Sequence, residues 1–169
     1  MADPALGLDR ASDEIFHARR LGALLEIIGD HTSAPEPLFV LDAGGEGRLA
    51  LAVTRCGHRV DAIGASAAAI ESPWLYDVVY AIDVMFHILD DGEWAAAVEN
   101  LASLVRYGGT LIITDENSPH RTPRGRDVVH RTRGEYTALL TPRGLTYRGF
   151  RPYAFRVSQV GFHVFTRTR

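Results

Sequence analysis

The fold of this chain is decided by one stretch, Leu38-Phe-Val-Leu-Asp-Ala-Gly-Gly-Glu-Gly-Arg-Leu-Ala-Leu-Ala-Val53. It opens with four consecutive apolar residues, which is typical of a strand buried on both faces of a parallel sheet. Three glycines then predict a flexible turn, and the apolar residues that follow predict a helix. This order brings backbone N–H groups at a helix start towards a bound ligand. Because short glycine motifs are common, an ordinary tight turn explains the stretch equally well.

Length and composition limit the classes of protein to which the chain can belong. Its 169 residues fit a single domain, 1–169, with a sizeable core. One cysteine, Cys56, excludes an intramolecular disulfide and a cysteine-based zinc site. We find no signal peptide and no apolar segment long enough to cross a membrane, so we expect a cytoplasmic protein.

Charge is unevenly distributed along the chain. The net charge is −3, but residues 119–169 carry 11 Arg against 2 acidic residues. The simplest interpretation is that the acidic and basic parts pack together and neutralise each other. A basic rim that attracts an anionic substrate is the alternative. The acidic overall balance argues against a nucleic-acid partner.

Strands alternate with helices along the chain, which predicts an α/β sandwich with a mostly parallel sheet. The first helix, over 9–33, has Ser12 as a candidate N-cap and Gly29 as a candidate end. The other predicted elements are strands at 59–63, 76–82 and 110–114, a helix over 90–106 that stops at 107–109, a loop at 115–127, a helix within 127–140, and two antiparallel strands at 145–155 and 160–166.

Three segments in this order resemble the class I S-adenosylmethionine (SAM)-dependent methyltransferases over roughly residues 10–169. The glycine-rich stretch is similar to the family's first motif. Tyr76-Asp-Val-Val-Tyr-Ala-Ile-Asp-Val-Met-Phe-His-Ile88 is similar to its fourth strand and the following turn. Residues 100–115 resemble its next helix, Gly-Gly turn and fifth strand. The resemblance implies a Rossmann-like methyltransferase sandwich with an antiparallel C-terminal edge, and SAM as the cofactor.

The chain departs from the family pattern in three places. The glycine loop is one residue shorter than the usual Asp-x-Gly-x-Gly-x-Gly. Gly64 stands where the family has an acidic residue that binds the ribose, and glycine offers no side-chain acceptor. Only about nine residues separate Ser66 from Tyr76, too few for a parallel crossover with its own strand. We therefore expect the third strand and its preceding helix to be missing, which erodes the nucleoside half of the donor site.

The resemblance and the strand ends together nominate site residues. For the cofactor they are Asp42, Gly44, Gly45, Glu46, Gly47 and Asp83. His87, just past a buried strand, is a candidate general base, with His120 and His130 as further catalytic candidates. Asp115, Glu116, Arg131 and Tyr136 are candidate substrate contacts. A capping or packing role for His87, and solvated loop arginines, remain the alternatives. No histidine spacing supports a metal site, and none is predicted.

Three functions are compatible with these features. The first is methyl transfer from SAM to an O or N nucleophile of a small molecule. The second is a methyltransferase-like enzyme that no longer methylates and catalyses a cyclisation, elimination or isomerisation. The third is a non-catalytic partner protein. Loss of the third strand would leave 59–63 as a sheet edge with free N–H and C=O groups, so we also expect a homodimer, or a complex with a partner, that buries it.

Overall fold

The computed structural model describes residues 9–32, 34–45, 47–156 and 158–168. In chain order its helices and strands are α1 (Arg10–His31), β1 (Phe39–Ala43), α2 (Arg48–Arg55), β2 (Arg59–Ile63), β3 (Tyr76–Ala81), α3 (Asp91–Leu104), β4 (Val105–Glu116), β5 (Thr122–Arg124), β6 (Val128–His130), α4 (Arg133–Leu140), β7 (Leu145–Pro152) and β8 (Val160–Arg167). Short 3-10 turns lie at Ala67–Ala69, Met85–His87 and Thr141–Arg143.

Six strands form one sheet in the order β2-β1-β3-β4-β8-β7. The first four are parallel, while β8 is antiparallel to both β4 and β7. The mostly parallel sheet with an antiparallel C-terminal edge is therefore confirmed. Parallel strands leave their carboxyl ends together at one edge of the sheet, and in open α/β sheets ligands bind at that edge.

Helices cover both faces of the sheet, so most residues of the central strands are buried. One face packs α3 and α4 against residues such as Leu41, Val79 and Leu111. The other face packs α1 and α2 against residues such as Val40, Val78 and Ile112. All six residues of β3 are buried, including Asp77, which confirms the buried strand predicted at 76–82.

The predicted loss of the third strand is confirmed. Between β2 and β3 the structure contains only the short turn at Ala67–Ala69, and β2 is the outer strand of the sheet. Asn100 of α3 holds this connection, because its amide donates to the carbonyl oxygens of Ala67 and Ile70, both at 2.9 Å. The connection therefore packs against α3 instead of forming a strand.

Several predicted boundaries were wrong. Asp9, rather than Ser12, caps α1, and the helix continues past Gly29 to His31. The turn predicted at 107–109 is part of β4, because that strand already begins at Val105. The loop predicted at 115–127 contains the end of β4 and the whole of β5. The helix predicted within 127–140 is confirmed as α4, which begins at Arg133 because 128–130 pairs with β5 as β6.

Within the described ranges, no helix is both long enough and apolar enough to cross a membrane.

Candidate functional site

Acidic side chains gather where the parallel strands end. Asp42 lies near the end of β1, Asp83 follows β3, and Asp115 and Glu116 end β4. Since these three strands are adjacent in the sheet, the predicted residues are brought to one edge. Around them the structure forms two polar clusters, one at Asp83 and one at Asp115.

The glycine turn after β1 packs closely against the residues around it. Gly44 adopts a left-handed φ of 82°, and its N–H donates to the Ile63 carbonyl at 2.7 Å. A Cβ on Gly44 would lie 3.1 Å from Val84, and a Cβ on Gly45 would lie 2.8 Å from the Asp42 carboxyl carbon. The turn thus passes between β1 and the segment after β3 with no room for side chains. Gly47 ends it with φ of 77°, whereas Glu46 lies outside the described residues.

Asp42 is only 2% exposed. Burial raises the pKa of its carboxyl group and outweighs the backbone N–H groups of Ala50 and Gly45 that face it. Burial also raises the pKa of the neighbouring Tyr80 hydroxyl, and the Asp42 carboxylate adds to that shift. Both groups are buried in the structure.

Asp83 is the centre of the first cluster. It has φ of 57°, a left-handed conformation that is uncommon for a residue other than glycine. Its backbone N–H donates to Thr114 Oγ1 at 2.6 Å, and the Tyr153 hydroxyl donates to Asp83 Oδ1 at 2.6 Å. Arg20 forms a salt bridge with the other carboxylate oxygen. The surrounding structure therefore fixes the strained residue from three sides.

The helix α1 supplies charged residues that sequence reasoning missed. Asp13 and Arg20 are each 7% exposed, although both are charged and lie on the N-terminal helix. Asp13 pairs with Arg48 at 3.1 Å and with His17 at 3.2 Å, which ties α1 to the start of α2. Burial and nearby arginines lower the pKa of His17. A helical spacing of 13, 17 and 20 was a visible signal that these residues share a face.

The second cluster is centred on Asp115, which is fully buried. His130 Nδ1 lies 2.7 Å from Asp115 Oδ1, and the Tyr136 hydroxyl donates to Oδ2 at 2.7 Å. The pKa of Tyr136 is well above its usual value, first because the hydroxyl is buried and then because Asp115 is negative. In the described part of the chain, His130 Nε2 has no hydrogen-bond partner. A carboxylate that accepts from Nδ1 leaves the lone pair on Nε2, which is the arrangement of an oriented base.

Arg131 and Glu116 have structural partners. The Arg131 side chain is fully buried, stacks on Trp94 at 4.7 Å and donates to the carbonyl oxygens of Ile88 and Leu89. Protein atoms therefore use the Arg131 donors, and its predicted contact with a substrate stays a prediction. Glu116 is buried and pairs with Arg124 of the β5–β6 hairpin at 2.6 Å.

The remaining catalytic candidates are exposed. His87 lies in the turn after β3, and its Nδ1 is 3.2 Å from the carbonyl oxygen of Asp127. It thus faces the β5–β6 hairpin. His120 is exposed before β5, outside both clusters. The structure brings His130, Asp115 and Tyr136 together and leaves His120 apart.

The end of β2 lies beside the end of β1. Ile63 and Ala43 are register partners, and the chain then continues through Gly64, Ala65 and Ser66, all exposed. No carboxylate follows β2 at the position of the ribose-binding acid. Among the described residues, no group of three or more His, Cys, Asp or Glu side chains is arranged to hold a metal ion.

The strand order, the glycine turn and the acidic strand ends define the class I SAM-dependent methyltransferase fold, and comparison with solved structures confirms that this chain has it. The similar structures include 1,6-didemethyltoxoflavin-N1-methyltransferase from Burkholderia thailandensis, with bound 1,6-didemethyltoxoflavin and S-adenosylhomocysteine. It has a TM-score of 0.72 and 18% identity, over 96% of this chain and 83% of that one.

Two further examples are magnesium protoporphyrin IX methyltransferase from Synechocystis PCC 6803 with bound SAM, and the N-methyltransferase NodS from Bradyrhizobium japonicum. The first has a TM-score of 0.72 and 14% identity, over 95% of this chain and 86% of that one. The second has a TM-score of 0.69 and 13% identity, over 93% and 99%. No protein-family model and no curated protein matches the sequence.

Proposed function

We propose that this protein is a SAM-dependent methyltransferase that acts on an oxygen or nitrogen nucleophile of a small molecule. The observation that carries the proposal is the glycine turn, which packs so closely against Asp42 and Val84 that a Cβ would collide at Gly45 and would be crowded at Gly44. A backbone held this close to neighbouring groups, beside the strained Asp83, is a costly arrangement that a simple loop does not need. Similar chains with bound SAM or S-adenosylhomocysteine support the same assignment.

The residues at the methionine end of the site fit the cofactor. The half-buried backbone of the glycine turn would hold it, and the Asp83–Arg20 pair offers one acidic and one basic group beside that turn. SAM, when bound, supplies an electrophilic methyl group on a sulfonium. The protein then has to bind and orient the acceptor, which can account for a large part of the rate of a methyl transfer.

The Asp115 cluster provides a general base for an acceptor that carries a proton. His130 holds a proton on Nδ1 towards Asp115 and presents Nε2 as the acceptor. Tyr136 donates to the other oxygen of the same carboxylate and so fixes its orientation. Phe86, with its ring 5.0 Å from the His130 ring, supplies an apolar wall beside the base.

The end of β2 favours a second candidate function. There the acidic residue is replaced by Gly64, and the strand that would follow is absent. This erosion of the nucleoside half favours an enzyme of the same fold that no longer methylates and uses the Asp115 cluster for proton transfer in a cyclisation, elimination or isomerisation. Fold alone does not decide between the two.

Calorimetric titration with S-adenosylhomocysteine tests the proposal. We expect binding by the unmodified protein and its loss in Gly45→Val, because the added side chain occupies the space of the turn. Absence of binding in the folded, unmodified protein would contradict methyl transfer and favour the second candidate.

Transfer itself is measured as S-adenosylhomocysteine formed from SAM with a panel of phenols and amines. His130→Asn should retain donor binding and lower turnover roughly 10²-fold or more, since it removes the base. The matched control is His120→Asn, an exposed histidine outside the cluster, which should leave turnover unchanged. Equal turnover of His130→Asn and the unmodified protein would exclude His130 as the base.

A further inference from the structure

The outer edge of β2 carries unpaired backbone groups at defined positions. Arg59 N–H donates to Leu38 O at 2.9 Å, and Ile63 O accepts from Gly44 N–H at 2.7 Å. In a parallel pair the residues with both groups directed at the neighbour alternate with residues that face away. Residues 59, 61 and 63 therefore bond to β1, while Val60 and Ala62 direct their N–H and C=O groups away from the sheet.

Two opposite charges stand on one face of this edge. Arg59 and Asp61 are two residues apart, so their side chains project to the same side. Arg59 is exposed and forms no ion pair with any described residue. Asp61 accepts one hydrogen bond, from the Tyr76 hydroxyl at 2.8 Å. An unpaired cation and a half-buried anion thus lie side by side on the open strand.

Apolar side chains adjoin the charged pair. Ser72 Oγ lies 3.0 Å from the Tyr76 hydroxyl, which places the segment before β3 beside Asp61. In that segment Trp74 is 63% exposed and Leu75 is 54% exposed. Neighbouring exposed apolar side chains beside an open strand edge are characteristic of an interaction surface.

We propose that the occupant of this edge is β2 of a second copy, paired antiparallel about a two-fold axis at Val60. In this register Val60 faces Val60 of the other copy and exchanges both backbone hydrogen bonds with it. Arg59 then lies opposite Asp61 of the other copy, twice by symmetry, at the closely spaced pair positions. Cross-strand pairs of opposite charge stabilise such a pairing.

The charges select this register over its neighbours. A two-fold axis at Asp61 would place the two Asp61 carboxylates opposite each other, which is unfavourable. An axis at Ala62 would place Asp61 opposite Ile63 and leave both charges unpaired. Only the axis at Val60 places Arg59 opposite Asp61 of the other copy and also uses the outward N–H and C=O groups of β2.

Sedimentation velocity from low to high micromolar concentration tests the proposal. We expect the unmodified protein to dimerise, and Arg59→Glu and Asp61→Arg to be monomeric alone, because each places like charges opposite each other. A mixture of the two variants should form a one-to-one heterodimer in which both ion pairs are restored. The matched control is Arg126→Glu, an exposed arginine in the β5–β6 turn, which should dimerise normally.

Hydrogen exchange on the unmodified protein gives a second measurement that does not depend on the folding of Asp61→Arg. The Val60 and Ala62 amides should exchange quickly at low concentration and slowly at high concentration, since they have a partner only in the dimer. A monomer at every concentration, a dimer that survives Arg59→Glu, or fast exchange of these two amides in a dimer would overturn the proposed pairing.

Discussion

Gly64→Asp should restore the acidic residue that the fold family uses to bind the ribose, and should strengthen donor binding. Gly64 follows β2 and is exposed, and a Cβ added there meets no heavy atom within 4 Å. Its φ lies outside the left-handed region, so an L side chain needs no change of backbone. The substitution therefore adds a carboxylate at the end of β2 without disturbing the packing of the sheet.

The expected gain follows from the hydrogen bonds that the new carboxylate can accept. A hydrogen bond to a charged group contributes about 1.5–3 kcal/mol. Two ribose hydroxyls could donate, but ordering the aspartate side chain and removing water from it offset a large part. A net gain of about 1.4–2.8 kcal/mol corresponds to roughly 10- to 100-fold in affinity.

Calorimetry with S-adenosylhomocysteine and with adenosine measures this gain. Both ligands carry the ribose, so both should bind more tightly to Gly64→Asp, by a similar factor. Gly64→Asn keeps the size without the charge and should gain less than about 5-fold, because neutral hydrogen bonds contribute less. Gly64→Ala should be unchanged. If Gly64→Asp is folded and its affinity for both ligands is unchanged, the nucleoside does not lie at the end of β2, and this part of the site assignment is refuted.

Three other substitutions test the packing beneath the site. Gly45→Ala should weaken donor binding at least about 10-fold, because even a methyl group collides with the buried Asp42 carboxylate; unchanged calorimetric affinity would contradict the close wrapping of the turn. Arg20→Leu should lower the free energy of unfolding in urea by about 3 kcal/mol, since it leaves Asp83 without its cation; a loss below about 0.5 kcal/mol would show that the pair is solvated. Burial lowers the pKa of the His163 imidazole in the folded protein. In the unfolded chain this imidazole keeps its ordinary pKa of about 6.5, so near that pH the unfolded chain binds more protons than the folded protein. Stability should therefore fall as the pH drops below that value, by at most about 1.4 kcal/mol per pH unit from this group, and His163→Phe should flatten the slope measured by urea unfolding from pH 8 to pH 5.

The sequence predicted the sheet more fully than the site. Mostly apolar runs in β1 and β3 identified buried parallel strands, and the short interval between Ser66 and Tyr76 correctly predicted that a strand is missing. These are local properties of the chain, since a strand buried on both faces is mostly apolar, although β1 and β3 each include one buried aspartate, Asp42 and Asp77.

The features that the sequence did not predict depend on contacts between residues that are distant in the chain, or on strands too short to show a pattern. Arg20 is buried only because Asp83, which is distant in sequence, meets it, and no helical pattern contains that partner. The β5–β6 hairpin has strands of three residues, one with a proline, which give almost no periodic signal. One signal was available but unused: Thr132 and Glu135 form a capping box, which marks the true start of α4.

The way α1 is held has a consequence for the order in which the protein can assemble. The helix formed by the first described residues is tied to the last strands: Arg19 donates to the Ala154 carbonyl, Arg151 pairs with Glu26 at 2.5 Å, and the Tyr153 hydroxyl reaches the carboxylate that Arg20 holds. On a ribosome α1 emerges before these partners, which follow it by more than 100 residues. Long-range closures of this kind slow folding. The Asp83 cluster is consequently completed only after the residues that follow β7 have been synthesised.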